Sequence, residues 1–151
     1  MDNKKPITDR IKTFKDACVV LKISYTETMR LVKKRNNKIL ITEKRKIDDD
    51  CFYSPLDEGF CEKETKASIA LLKLRIICKA LNEGWVPDFN NESEYKYYPY
   101  FNAKSGFGFS CAYYAYTNAD STVGFCLCFK TRELAEYAGR QFESIYKDYL
   151  A

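Results

Sequence analysis

The spacing of the hydrophobic residues changes twice along the chain, and this change constrains the fold more than any other feature. In the N-terminal helices and from 65 to 84, apolar residues recur every three to four positions; from about residue 98 they alternate with small residues, and after Thr131 the longer spacing returns. The first spacing is typical of an amphipathic helix and the second of a half-buried strand. The order predicts an α+β fold with N-terminal helices, a small antiparallel three-stranded meander and a closing C-terminal helix.

Two short helices are predicted near the N-terminus. Thr13 followed by Asp16 matches a capping box, in which the hydroxyl accepts a hydrogen bond from a helix amide and the acid lies at the positive end of the helix. Ser24 followed by Glu27 repeats the pattern. We therefore expect one helix after each cap, the first over about 13–22.

The next segment, 38–64, changes from a basic, β-prone run to an acidic one. We expect a short strand at 38–42 and a long connection over 48–64. Thr65 then opens a longer helix that is apolar around most of its circumference, as expected of a helix in the core, and Gly84 ends it. The innermost face of this helix is predicted to consist of Ala70, Leu74, Ile77 and Leu81.

The two clearest strands are FGFSCAYYAY, residues 107–116, and VGFCLCF, residues 123–129. The intervening TNADST is rich in turn residues, so the two strands are expected to pair as an antiparallel hairpin. YYPYF, residues 97–101, is the expected third strand, and Pro99 confines it to an edge or a bulge because proline lacks a backbone donor.

Alternation gives the first of these strands one bulky and one small face. The bulky face is predicted to point into the core and consists of Phe107, Phe109, Cys111 and Tyr113. The small face contains Gly106 and Gly108, which would let another element approach closely. The closing helix, capped by Thr131, offers Ala135, Ala138 and Gly139 for that approach. Its own buried face is predicted to consist of Leu134, Ala138, Phe142, Ile145 and Tyr149.

Length and composition favour one soluble domain. The 151 residues suffice to bury roughly two-thirds of the surface of the unfolded chain. The charged start MDNKKPITDR differs from a signal peptide, and no stretch reaches the ~18 apolar residues of a membrane span, so neither export nor a membrane partner is expected. Seven cysteines, an odd number, favour reduced thiols in a cytosol.

The residue types argue against an enzyme. The chain contains no histidine, the commonest general base and a usual zinc ligand. Cys126 and Cys128 are predicted to lie on one side of a strand with Cys111 directed to the other, and no Cys-x-x-Cys pair is present. We therefore expect a non-enzymatic protein with small buried thiols, no metal and no cofactor.

Four stretches together resemble a family of small uncharacterised proteins encoded by gut-bacterial phages and mobile elements: RIKTFKDAC, ALNEGWVPDFNN, YKYYPYF and LCFKTRELAEYAGRQF. The resemblance covers about 7–18 and 66–150, and it leaves about 22–65 as a variable insert, basic and then acidic, within a single domain of residues 1–151. It implies an accessory protein of a mobile element in the cytoplasm of a bacterial host. It implies no catalytic or binding residue.

Aromatic residues mark the first candidate binding surface. Ten of the 22 residues from 95 to 116 are aromatic. Exposed tyrosines anchor many protein interfaces and also stack on bases or sugars. We expect a protein partner from the host or the element, and the candidate contact residues are Tyr114, Tyr116 and Tyr97.

The alternative is a DNA-binding protein. Residues 1–48 carry fourteen Lys or Arg against six Asp or Glu, a net +8, whereas residues 49–151 carry −4. Residues 13–46 have the outline of two short helices and a basic strand, as in winged helix-turn-helix proteins, although Lys22 occupies the turn position where glycine is typical. The candidate phosphate contacts are Lys33, Lys34, Arg35, Lys38, Lys44, Arg45 and Lys46.

Overall fold

The computed structural model of the chain describes residues 5–30, 58–91, 93–102, 107–115 and 127–150, without the side chains of 58–65 and 115. The described part is a mixed helix and strand fold with an antiparallel sheet. The helices are α1, Ile7–Arg10; α2, Phe14–Val20; α3, whose described residues are 25–30; α4, Glu58–Leu81; α5, Arg132–Gln141; and α6, Glu143–Leu150. The strands are β1, Lys96–Asn102, and β2, Gly108–Ala115.

Both predicted N-terminal caps are confirmed. The Thr13 hydroxyl oxygen accepts from the Asp16 amide at 3.2 Å, and the Asp16 carboxylate accepts from the Thr13 amide at 2.8 Å. The Thr13 hydroxyl also donates to that carboxylate, which lowers the pKa of Asp16. Ser24 Oγ accepts from the Glu27 amide at 3.3 Å. The predicted strand at 38–42 and the end of the second helix lie outside the described residues.

The central helix begins earlier than predicted. α4 starts at Glu58, so 58–64, predicted as part of a connection, is helical. This segment, EGFCEKE, contains three glutamates and a lysine, which are good helix formers by intrinsic propensity. Gly84 has a φ of 90°, as its predicted role at the helix end requires. The predicted inner face is buried, at Ala70, Leu74, Ile77 and Leu81.

None of the helices in the described ranges is long and apolar enough to cross a membrane.

A polar side chain just after α4 is almost completely buried. Asn82 is 3% exposed. Its Nδ2 donates to the Cys128 carbonyl at 2.9 Å, and its Oδ1 accepts from the Lys130 amide at 3.1 Å. These are the backbone groups that an adjacent strand would otherwise bind. The amide of Asn82 therefore replaces a strand along one edge of residues 127–130.

The other edge of 127–130 pairs with β1. The Phe129 amide donates to the Tyr97 carbonyl at 2.7 Å, and the Tyr97 amide donates to the Phe129 carbonyl at 3.0 Å. The described residues form a two-stranded sheet, and residues 123–126 of the predicted strand 123–129 lie outside them. At Phe129 the predicted hairpin is wrong, because this residue pairs with β1 rather than with β2. The reason is that Asn82 and Tyr97 bind the backbone on both sides of Phe129.

A β-bulge decides which residues of β2 face the helices. Tyr100 lies opposite Cys111 and Phe101 lies opposite Phe109, so Ser110 is an extra residue in β2. The extra residue reverses the alternation beyond it. The prediction that Cys111 and Tyr113 point into the core with Phe109 is therefore wrong: Ala112 is buried, and Tyr113 is 49% exposed.

The close contact between α5 and the sheet depends on the glycine of the helix. A Cβ at Gly139 would overlap the ring of Phe109 and would lie 2.9 Å from the Cβ of Pro99. Gly139 is thus confirmed as a point of close approach. By contrast, a Cβ at Gly108 would meet nothing within 4 Å, so the prediction that this strand glycine admits the helix is wrong. Gly106 lies outside the described residues.

The closing helix is two helices. Thr131 caps α5 as predicted, but α5 ends at Gln141, and Phe142 has φ −115° and ψ 24° before α6 begins. Tyr146, four residues after the buried Phe142, is buried in α6, whereas Ile145 and Tyr149, predicted to be buried, are only partly so.

We predict that Asn82→Ala destabilises the fold by about 1–3 kcal/mol, because the Lys130 amide would lose its acceptor and the Cys128 carbonyl would lose its amide donor while keeping the weaker Cys78 thiol. Asn82→Asp keeps an acceptor for Lys130 but places a carboxylate oxygen against the Cys128 carbonyl, so it should also be costly. Urea unfolding measures both. The control is Asn90→Ala at an exposed loop position, expected to stay within about 0.5 kcal/mol of the wild type; equal effects at residues 82 and 90 would contradict the role given to Asn82.

We predict that Gly139→Ala lowers the free energy of unfolding by about 1–3 kcal/mol through overpacking, although alanine is the better helix former by about 1 kcal/mol. The smaller ring-free side chain in Phe109→Leu should reduce this penalty, so a double-mutant cycle measures the coupling. Additive effects of the two substitutions would show that Gly139 and Phe109 do not limit each other.

Candidate binding surface

Three tyrosines and a cysteine share the face of the sheet that is directed away from α5. Residues directly opposite each other in an antiparallel pair lie on the same face. The face with Pro99 and Phe109 receives Gly139 of α5. The opposite face carries Tyr98, Tyr100, Cys111 and Tyr113, and we call it the outer tyrosine face.

The rings of the outer tyrosine face contact one another and remain accessible. Tyr98 and Tyr113 are nearly parallel, with centroids 6.3 Å apart, and Tyr100 meets Tyr113 edge to face at 5.1 Å. Tyr100 is 48% exposed and Tyr113 is 49% exposed. The sequence prediction placed Tyr113 in the core, because strict alternation carries no signal for the extra residue Ser110.

The predicted candidates Tyr97 and Tyr114 lie opposite each other on the other face. Together with Tyr95 they form a cluster in which the ring of Tyr114 is 5.3 Å from that of Tyr95 and 6.4 Å from that of Tyr97. Tyr97 is partly buried against the core, while Tyr114 and Tyr95 are each 44% exposed. We call these three residues the edge tyrosine cluster. The third candidate, Tyr116, lies outside the described residues.

A buried lysine fixes the loop that leads into β1. Lys96 is 1% exposed. Its ammonium donates to the carbonyls of Asn91 and Glu94 at 3.1 and 2.9 Å and lies 3.3 Å from the Glu94 carboxylate. The same carboxylate accepts from the Asp88 amide at 2.8 Å. Lys96 thus holds the loop over 88–95. The Glu94 carboxylate of this loop compensates the charge of the buried ammonium. The sequence prediction missed this role, because a single lysine between tyrosines gives no sign that it is buried.

The outer tyrosine face is electrically neutral at its described positions. β1 contributes Tyr98, Tyr100 and Asn102, and β2 contributes Gly108, Cys111 and Tyr113. Lys96 occupies the next alternate position of β1, but its ammonium is covered by the loop. The face therefore offers aromatic area and hydroxyl groups without formal charge.

The described thiols do not form a reactive or metal-binding centre. Cys18, Cys78 and Cys128 are buried and Cys111 is partly exposed. Burial raises the pKa of the Cys18 thiol, which disfavours the reactive thiolate. No group of three or more metal-ligating side chains occurs among the residues that the structure describes. The side chains of Cys51, Cys61 and Cys126 lie outside that description.

The basic residues predicted to contact nucleic acid cannot be placed relative to the helix pair. All of them lie between residues 31 and 57, outside the described ranges: Lys33, Lys34, Arg35, Lys38, Lys44, Arg45 and Lys46. The two helices that precede them are described, up to residue 30.

No protein-family model, curated protein or solved structure matches the chain. Its function therefore has to be inferred from its own residues and their arrangement.

We predict that Lys96→Met loosens the loop over 88–95, because the carbonyls of Asn91 and Glu94 would lose a charged donor, a loss of roughly 1–3 kcal/mol. Hydrogen exchange should show amides of this loop exchanging at least about tenfold faster, as expected for a local opening made easier by 1.4 kcal/mol or more. The matched control is Lys79→Met on the exposed side of α4. Unchanged exchange in the Lys96 variant would contradict the role of the ammonium.

Proposed function

We propose that the chain is a non-enzymatic accessory protein of a phage or mobile element that binds a protein partner, of the host or of the element, in the cytoplasm of a bacterial host. The proposed contact surface is the outer tyrosine face. The observation that carries the proposal is the half-exposed ring pair of Tyr100 and Tyr113 on a sheet face directed away from α5.

Tyrosine suits a protein contact for physical reasons. Its ring supplies a large apolar area, its hydroxyl can bond to a partner, and only two side-chain torsions have to be fixed on binding. In this face the rings already support one another, since Tyr113 contacts both Tyr98 and Tyr100. The entropy lost on binding is correspondingly smaller than for isolated side chains.

The neutrality of the face favours a protein over a single-stranded nucleic acid. Proteins that stack bases on aromatic rings combine those rings with cations that follow the phosphate backbone. The described positions of the outer tyrosine face carry no cation, and the neighbouring Lys96 is covered and paired with Glu94. On this surface the phosphates of a nucleic acid would have no cation to bind, whereas a protein partner needs none.

A non-enzymatic role is supported by the residue types. The chain has no histidine to serve as a general base. Among the described thiols, burial disfavours the thiolate of Cys18. The proposal that the protein belongs to a mobile element depends on the resemblance of its four sequence stretches.

We predict that Tyr100→Ala together with Tyr113→Ala weakens partner binding at least about fivefold per residue, because a tyrosine anchor contributes about 1 kcal/mol or more. The partner is first isolated from host lysate with the full chain and identified by stoichiometric recovery. Calorimetry with the purified partner then measures the dissociation constants. A second double variant, Tyr95→Ala with Tyr114→Ala, tests the edge tyrosine cluster, and Tyr25→Ala in α3 is the control for loss of an exposed ring elsewhere.

The outcomes are distinct. Loss of binding confined to the Tyr100 and Tyr113 variant supports the outer tyrosine face, and loss confined to the Tyr95 and Tyr114 variant moves the contact to the edge cluster. Equal loss in the Tyr25 control, absence of a stoichiometric partner, or a reproducible turnover by the isolated chain would each overturn the proposal. Circular dichroism of every variant checks that the fold is retained.

A further inference from the structure

The turn between α2 and α3 contains a lysine in a conformation that favours glycine. The Lys22 amide donates to the Val19 carbonyl at 3.0 Å, and the Ile23 amide donates to the Cys18 carbonyl at 3.0 Å. These two bonds define a Schellman motif, in which the residue after the helix cap is left-handed. Lys22 is that residue, with φ 56°. As predicted, Lys22 occupies a turn position where glycine is typical. A left-handed backbone costs conformational free energy for any residue with a Cβ, so lysine is strained at this position.

The second helix begins immediately after this turn and packs against the first. Ser24 caps it by accepting from the Glu27 amide. The rings of Phe14 in α2 and Tyr25 in α3 lie 5.7 Å apart, and Met29 packs against the core. The chain thus forms a helix, a tight turn and a second helix over 14–30, an arrangement that DNA-binding proteins use to place the second helix in the major groove.

The outward side of this helix pair is polar and carries an unpaired cation. Thr26, Glu27 and Arg30 are exposed, and Glu27 binds Arg30 in a two-point contact at 2.7 and 3.0 Å. Lys22 is exposed and forms no ion pair with any described residue. Residues 1–30 carry seven Lys or Arg against four Asp or Glu, a net charge of +3. Such a charge excess complements a polyanion, because each neutralised phosphate releases bound counterions.

We infer that α2 and α3 form an interface for duplex DNA, with α3 directed to the major groove and Lys22 on a phosphate beside it. This inference does not rest on the proposed protein partner, since the helix pair and the outer tyrosine face belong to different elements. The strain at Lys22 supports this inference, because glycine at position 22 would relieve the strain but would remove a cation. In the proposed complex, that cation binds a phosphate of the duplex next to the turn.

The test uses the full chain and a labelled random-sequence DNA duplex, with binding followed by fluorescence anisotropy at several salt concentrations. Lys22→Gly should reduce the magnitude of the slope of log K against log salt by about 1, as expected for one lost phosphate contact. The same substitution should raise Tm by about 2–4 °C, because it removes the left-handed strain. Lys22→Arg keeps both charge and strain, so it should keep the salt slope and the Tm. Lys147→Ala on α6 is the control for loss of an exposed lysine elsewhere.

Opposite changes in stability and affinity separate a DNA contact from a purely structural role. A Lys22→Gly protein that is more stable and binds the duplex with the unchanged salt slope would overturn the assignment of Lys22. A wild-type response that is independent of salt would overturn the DNA interface as a whole. Stronger binding to a single strand than to the duplex would overturn the placement of α3 in a major groove.

Discussion

The side-chain amide of Asn82 holds the sheet to the central helix. Residues 127–130 run between α4 and β1, and on the helix side the amide of Asn82 binds the Lys130 amide and, together with the Cys78 thiol, the Cys128 carbonyl. One amide group provides both a donor and an acceptor, which no shorter polar side chain does at this spacing. The bridge between Phe129 and Tyr97 then fixes the position of β1 relative to α4. The tyrosines of both faces are positioned by this chain of hydrogen bonds.

The bulge in β2 has a larger effect on the surface than its size suggests. A single extra residue, Ser110, reverses the faces of all residues that follow it in the strand. Ala112 consequently faces the helices, where a small side chain fits, and Tyr113 faces outward beside Tyr100. The outer tyrosine face exists because the bulge sits between the aromatic residues that fill the core and those that do not.

Most features that depend on near neighbours in the chain could be predicted from the sequence, although the start of α4 at Glu58 was not, and features that depend on distant contacts could not. The caps at Thr13 and Thr131 and the left-handed Gly84 are set by residues within one helical turn, and all three were predicted. The bulge at Ser110 and the use of Asn82 as a strand partner involve segments far apart in sequence. For the candidate site, local pattern found the tyrosine-rich strands, but the bulge decided which rings are outward.

The neutralised Lys96 has a kinetic consequence. Its ammonium is held between two carbonyls and a carboxylate, so a chain with a net charge of +4 presents a sheet face that is uncharged at its described positions. Encounter with this face would receive no electrostatic steering, and neutral protein pairs associate at roughly 10⁵–10⁶ M⁻¹s⁻¹ with little dependence on ionic strength. Encounter of a polyanion with the basic N-terminal third would be faster in dilute salt and slower in concentrated salt. Association of a protein with the outer tyrosine face and association of a polyanion with the N-terminal third would therefore respond differently to a change in salt concentration.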